Sequence, residues 1–350
     1  MTYNEIPELF LTIDEHGFIF KDDIKVSNPE MGFSILENLF LLENNSIGSK
    51  WDENNYIIEA FESPLIAQSV SKTIDGDLHL QFHYDYSLIL PLKNFPLFLD
   101  EWDRIHGENK NKVPFTLSRQ AQEEFFDLLD GFSDDNFEWN GEKYDFHQYW
   151  EEHEFLNGAE WWNQVYETEE NPRWNLASPS ETLKDMLPRL KLPKSNILVL
   201  GCGDGHDAAL FAQNGHLVTA IDISPHAIER AKKLHSEYKQ ITWLQADLFH
   251  LPQELRGKFD FIYEYTCFCA IAPKRRNELV QIWSQYLHEQ GQLMGTFFCM
   301  PKRFGPPFGA TEWELRKRLE KKFQFLFWGR WRKSLPRRQG RELFVLAKLK

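Results

Sequence analysis

The sequence predicts an α/β protein: a seven-stranded, mostly parallel sheet with an antiparallel last strand, preceded by a smaller α+β domain. Three observations carry this. A glycine-rich loop between two strand-like runs at 196–222 has the spacing of a nucleotide-binding βαβ unit. Strand and helix patterns alternate from 180 onward. The two parts also differ in charge: residues 1–150 hold 10 Lys and Arg against 29 Asp and Glu, a net of −19, whereas residues 151–350 hold 29 against 24, a net of +5. A chain of 350 residues can bury two cores. The boundary is placed near 150, giving an acidic α+β domain at 1–150 with no assigned function and a second domain at 151–350.

In the first domain, Phe18 to Val26, Tyr56 to Phe61 and Leu78 to Leu90 read as strands, the last with partial alternation. Glu30 to Leu42 and Leu117 to Phe132 have helical spacing. Phe137 to Tyr144 reads as a hairpin turning at Asn140-Gly141. From Trp150 to Pro179 tryptophans and glutamates interleave, a composition that fits a seam between domains or a lid over a ligand.

In the second domain, strands are expected at 196–201, 217–221, 241–245, 259–264, 291–299, 324–330 and 342–348. Helices are expected at about 180–190, 205–213, 224–237, 274–288 and 311–322. Seven strands with a final hairpin-like pair is the layout of a class I, Rossmann-like methyltransferase sheet.

The first loop, Gly201-Cys202-Gly203-Asp204-Gly205, decides between ligands. Glycines allow tight turning and close approach, and an acid ending the second strand, Asp222, can take both ribose hydroxyls. A pyrophosphate would be repelled by Asp204, while a cationic, phosphate-free ligand such as S-adenosylmethionine would not. After the third strand, Asp247 with Leu248 suits an adenine amino group; the competing reading is that Asp247 caps a turn. His206 and Asp207 are read as capping the helix and bracing the loop rather than as catalytic. His216, His226 and His235 have no partner at metal spacing.

Four cysteines, Cys202, Cys267, Cys269 and Cys299, lie in or beside expected strands and form neither a disulfide framework nor a zinc knuckle, so no metal is expected. The first residues carry acids where a secretory signal carries bases, and no apolar run approaches 18 residues. The expectation is a cytoplasmic protein without membrane partners. Residues 301–350 hold 15 Lys and Arg against 4 Asp and Glu. Such a run can bind nucleic acid or dock on the acidic first domain, and docking is favoured because both charges sit in one chain.

Phe259 to Ile271, FDFIYEYTCFCAI, followed by Gly291 in the turn before the fifth strand and by Gly305-Pro306-Pro307-Phe308, joins Trp162, Tyr166, Trp174 and GCGDGHD in a pattern. It resembles the thiopurine S-methyltransferase family, and within it the plant thiol and halide methyltransferase branch, over roughly 158–349. The resemblance implies S-adenosylmethionine as cofactor, with S-adenosylhomocysteine as product. It implies cofactor contacts from Trp162, Trp174, Leu200, Gly201, Gly203, Asp222, Ile223, Asp247, Leu248 and Glu264. Glu264 and Tyr265 would face the methyl-transfer site, with Tyr265 as the catalytic candidate that orients the acceptor. Cys267 and Phe268 line the acceptor pocket on one reading and are plain core on the other. Thiopurine enzymes carry arginine where this chain has Tyr265, so the implied acceptor is a small soft nucleophile: a thiol, thiocyanate or a halide. A nucleic-acid methyltransferase, suggested by Pro306-Pro307 and the basic run, and a cofactor-binding sensor are the alternatives.

Overall fold

The computed structural model describes residues 9–150, 158–169 and 172–350. The chain divides into two compact units. One is built from residues before 152 together with Met300–Arg303 and Thr311–Glu314, the other from the remainder.

The second unit holds the seven-stranded sheet. Its strands are β1 (Asn196–Leu200), β2 (Leu217–Asp222), β3 (Ile241–Gln245), β4 (Phe259–Tyr265), β5 (Leu287–Phe298), β6 (Phe323–Trp331) and β7 (Glu342–Leu349), ordered β3-β2-β1-β4-β5-β7-β6. β1 to β5 run parallel, and β7 is antiparallel to both neighbours. This is the class I methyltransferase topology. Interior parallel strands are covered on both faces and therefore read as continuous apolar runs, as NILVL does in β1.

The covering helices are α1 (Ala159–Thr168), α2 (Glu181–Leu190), α3 (His206–Gln213), α4 (Pro225–Leu234), α5 (Arg276–Tyr286) and α6 (Glu312–Leu319). Alternation splits the interior in two. Ile197, Val199, Phe261, Tyr263 and Met294 pack with Leu183 of α2 and Phe211 of α3. Leu198, Leu200, Ile262 and Leu293 pack with Leu279 and Trp283 of α5. Helix starts follow the capping rules: Ser180 accepts from the Leu183 N–H (3.2 Å), and Ser224 accepts from the Ala227 N–H (3.3 Å) just before Pro225.

One detail departs from expectation. Gly291 lies inside β5 rather than in a turn before it. The register slips between the Phe259–Leu287 and Phe261–Gln292 pairs, so a bulge absorbs the residues that had read as a turn.

The first unit is richer in strand than its sequence shows. A six-stranded sheet is built around Phe10–Ile13 and Asn54–Ala60, and a five-stranded sheet around Ile105–Glu108 and Pro114–Leu117. Two expected strands are hairpins. Phe18 to Val26 breaks into Ile19–Lys21 and Ile24–Lys25, with Asp22 and Asp23 at positive φ, and Leu78 to Leu90 breaks at His83–Asp85, where Tyr84 has φ 60°. The expected helices shorten to Pro29–Glu37 and Arg119–Asp127. The Asn140-Gly141 hairpin forms, with φ of 54° and 71°, as its turn type requires. A buried chain, Ser63 to Thr116 (2.6 Å), Thr116 to His106 (2.8 Å) and His106 to Asp100 (2.9 Å), pairs these four polar side chains with one another in the interior.

Candidate active site

β1 ends at Leu200, and the chain turns through Gly201 and Gly203 at φ of 55° and 52°. A side chain is excluded at either. A Cβ on Gly201 would sit 2.9 Å from the Cys267 Sγ, and one on Gly203 would sit 2.8 Å from the Tyr166 hydroxyl. The loop is fastened to the end of β2: the Gly203 N–H donates to Asp222 Oδ2 (2.9 Å) and the Ser224 N–H to Asp222 Oδ1 (3.0 Å). Burial raises the Asp222 pKa against these bonds.

Asp204 does not face a ligand as a free charge. Arg230 of α4 pairs with its Oδ2 at 2.8 Å, and Asn175 donates to the same oxygen; Oδ1 is buried with no partner in the structure. Arg230 also donates to the Glu169 carbonyl (3.0 Å), so one guanidinium ties α1 to the loop.

Around this loop lies a cavity with about 540 Å³ of empty space, counting what is open to solvent. Its walls include Tyr166 and Trp174, the loop from Leu200 to Asp204, Ser180 and Asp207 at two helix starts, and Tyr263, Tyr265 and Thr266 at the end of β4. Trp174 donates from Nε1 to the Tyr166 hydroxyl (2.9 Å), and Trp162 meets Trp174 edge to face at 5.4 Å. Tyr166 and Trp174 of the tryptophan-rich stretch thus stand in the cavity wall, while residues 151–157 and 170–171 of that stretch lie outside the described residues.

At the end of β4 alternate side chains part company. Tyr263 donates to Asp207 Oδ2 (3.0 Å) and shares a 2.9 Å hydrogen bond with the Ser180 hydroxyl; the Ser180 N–H donates to Asp207 Oδ1 (2.7 Å). Burial lifts the Asp207 pKa to about 6, against those bonds and the charge of Arg338. Tyr265 donates to Glu342 Oε1 (3.0 Å) and accepts from the Arg338 guanidinium, which also donates to the Trp174 carbonyl (3.0 Å). Arg338 is 4% exposed. Burial holds the Tyr265 hydroxyl protonated, far above the ordinary tyrosine value.

Glu264 points the other way. Thr266, at φ 62°, reverses the chain so that Glu264 Oε1 accepts from the Cys267 and Phe268 N–H groups, each at 2.8 Å. Its Oε2 is buried with no hydrogen-bond partner, and burial lifts its pKa to about 8, so it is protonated at neutral pH.

Of the residues singled out in the sequence, Trp174, Leu200, Gly201, Gly203 and Tyr265 meet in the cavity wall, and Trp162 backs it. Asp222 holds the loop from beneath, beside the half-buried Ile223. Asp247 closes a turn, accepting from the Phe249 N–H (2.9 Å) and facing His250 at 2.8 Å, and Leu248 is in the core. Cys267 and Phe268 bury their side chains in the same core, the packing reading of that pair. Burial raises the Cys267 thiol, so it is not a thiolate. Sequence reasoning missed Ser180, Tyr263, Arg338 and Glu342 and set Asp207 aside. Among the described residues no group of side chains could hold a metal ion, and no helix is long and apolar enough to cross a membrane.

Residues 157–342, more than half of the chain, match the Thiopurine S-methyltransferase (TPMT) family. The chain belongs to this family. It is an S-adenosylmethionine-dependent methyltransferase. Among relatives, it is 32% identical over 165 residues to a probable thiol methyltransferase 2 of Arabidopsis thaliana, covering 46% of this chain and 72% of the relative. It is 29% identical over 150 residues to thiocyanate methyltransferase 1 of Brassica oleracea, covering 42% and 65%. Among solved structures, the N-methyltransferase NodS from Bradyrhizobium japonicum WM9 superposes with a TM-score of 0.44 at 17% identity, over 53% of this chain and 97% of that one.

The residues of the TPMT-family site fit the cofactor. The glycine cradle leaves room that a Cβ would fill, and Tyr166 and Trp174 in the wall are aromatic residues of the kind that hold a sulfonium.

Proposed function

We propose that this TPMT-family member methylates a small, soft nucleophile that reacts as an anion: a thiol as its thiolate, thiocyanate or a halide. The single observation that carries this reading is Tyr265 in the cavity wall. Its hydroxyl is braced between Arg338 and Glu342, a buried pair 3.6 Å apart whose charges offset one another, so the wall offers a fixed polar surface in place of the arginine of the thiopurine enzymes. Such a wall suits a small, weakly hydrated nucleophile held in a water-poor cavity.

Bound S-adenosylmethionine supplies an electrophilic methyl group on a sulfonium. The chain's own residues do the rest. Gly201 and Gly203 let the backbone approach the ligand, Asp222 and Ile223 are assigned to ribose and adenine, and Asp247 and Leu248 to the adenine edge. Trp162 and Trp174 flank the cation. Tyr265, braced between Arg338 and Glu342, orients the acceptor and excludes water. Glu264 supports this geometry from the core by holding the backbone after β4. The basic residues of 301–350 are scattered over α6, β6, β7 and the segments between them, and Arg338 and Arg318 are buried, which weighs against reading the run as one stripe for nucleic acid.

The test is turnover of thiocyanate, iodide and small thiols with S-adenosylmethionine. Measurable methylation of these, with Arg338→Gln lowering kcat/KM by tenfold or more, is the expected result. Preference for a neutral amine, or for RNA or DNA, would overturn the reading.

A further inference from the structure

The cavity contains a second device that a permanently anionic acceptor would not need. Ser180, Tyr263 and Asp207 come from three elements, the start of α2, β4 and the start of α3, and all three line the same wall as Tyr265. They form a closed ring: the Tyr263 hydroxyl bonds Asp207 Oδ2 at 3.0 Å and Ser180 Oγ at 2.9 Å, while the Ser180 N–H holds Asp207 Oδ1 at 2.7 Å. A half-buried carboxylate held by two donors at the edge of a ligand cavity is more than a helix cap requires, since its position at the start of α3 could be satisfied by water.

We propose that Asp207, acting directly or through the Tyr263 hydroxyl, is the proton acceptor that allows this site to use neutral thiols as well as preformed anions. The inference rests on the soft-nucleophile reading above and deepens it. In the step, the acceptor's S–H bond breaks and its proton passes to an Asp207 oxygen. In the relayed form, the Tyr263 oxygen takes the thiol proton as its own hydroxyl proton moves to Asp207 Oδ2. The thiolate sulfur then bonds the methyl carbon, and the electron pair of the broken carbon–sulfur bond remains on the departing cofactor sulfur. The proton on Asp207 goes to solvent after the thioether leaves.

The surroundings suit this task. Facing Asp207 are Ser180 on α2, Tyr263 and Tyr265 on β4, and Arg338 from the segment before β7; on its own loop are Asp204, paired to Arg230, and His206, whose ring lies edge-on to His235 at 5.2 Å. Tyr263, Tyr265 and the thiols of Cys202 and Cys267 are all held protonated by burial, and His206 is pushed down by burial and by His235. Asp207, lifted to about 6, is therefore ionised at neutral pH yet basic enough to take a proton. A free thiol near pKa 8.5 is only about 3% ionised at pH 7, which sets the gain from such a base at roughly 30-fold.

The experiment compares cysteine, a small thiol with pKa near 8.5, with thiocyanate in wild type, Asp207→Asn and Asp207→Glu. For wild type, kcat/KM for the thiol should fall below about pH 6, while that for thiocyanate stays level. Asp207→Asn should lower the thiol-to-thiocyanate ratio of kcat/KM at pH 7 by at least tenfold and make thiol turnover climb with pH toward the thiol's own ionisation; Asp207→Glu should restore part of the ratio. A readout apart from turnover is the infrared carboxyl band of Asp207 in the S-adenosylhomocysteine complex, identified by its loss in Asp207→Asn: it should be that of an ionised carboxylate at pH 7.5 and convert to the protonated form near pH 6. A ratio that does not move, or an Asp207 band that stays protonated at pH 7.5, would overturn the inference alone. Failure of wild type to methylate either acceptor would overturn the soft-nucleophile reading and this inference with it.

Discussion

Asp207 and Glu264 stand on opposite sides of the end of β4, and their difference shows how one strand sorts two acids. Tyr263 and Tyr265 face the cavity, and Asp207 meets them there with two hydrogen-bond donors and the field of Arg338. Glu264, between them in sequence, faces the core, with one oxygen serving two backbone N–H groups and the other without a hydrogen-bond partner. The first carboxyl is lifted to about 6 and the second to about 8. At neutral pH one is a base beside a ligand cavity and the other a neutral brace. Strand alternation and the depth of burial make that distinction; residue type does not.

The sharpest way to break the contrast is to remove the brace. Glu264→Ala leaves the Cys267 and Phe268 N–H groups without their acceptor and opens a void beneath the site, which should cost roughly 2–4 kcal/mol, read from urea unfolding. If the loss stayed below about 1 kcal/mol, Glu264 would not be holding the turn. On the cavity side, Gly203→Ala places a Cβ 2.8 Å from the Tyr166 hydroxyl at φ 52°. S-adenosylmethionine affinity by calorimetry should drop about 10- to 100-fold, while the melting temperature moves much less than for Glu264→Ala.

A smaller effect is expected from Glu264→Gln, which keeps the acceptor and removes the titration. The folded pKa of Glu264 is raised above the unfolded value of 4.5, so its contribution is fully present below about 4.5 and is lost as pH rises toward 8. The variant should therefore gain on wild type in melting temperature from pH 5 to pH 8.5. Parallel stability profiles across that range would contradict the assignment. The mildest change is Tyr265→Phe, which keeps the ring and removes the hydroxyl that joins Arg338 to Glu342; kcat/KM for thiocyanate should fall by about three- to tenfold, against a larger loss for Tyr265→Ala.

How far the sequence reveals this arrangement depends on the range of the contacts. The strands of the second unit could be placed to within a few residues because NILVL and FDFIYEY are apolar runs closed by glycines and acids. In the first unit, Leu78 to Leu90 keeps its alternation through the break at Tyr84, so periodicity could not show that the chain reverses there. In the site, the glycine loop is local and was visible. The Arg338–Tyr265 and Ser180–Tyr263 bonds join residues 73 and 83 positions apart, and no spacing rule reaches that far. Arg338 was hidden in a run of charges whose sum said nothing about which member is buried. Asp207 looked like a helix-start acid because it is one; only the strand packed across from it adds a tyrosine to its neighbours.

The clamp at Asp222 has a kinetic meaning. Both carboxylate oxygens already engage the Gly203 and Ser224 N–H groups, so the loop is shaped before any ligand arrives. The entropy of ordering it is spent during folding rather than at the moment of encounter. Association of S-adenosylmethionine should then follow a single phase in rapid mixing, linear in ligand concentration, with the residence time set by how readily the walls around Trp174 let the ligand go.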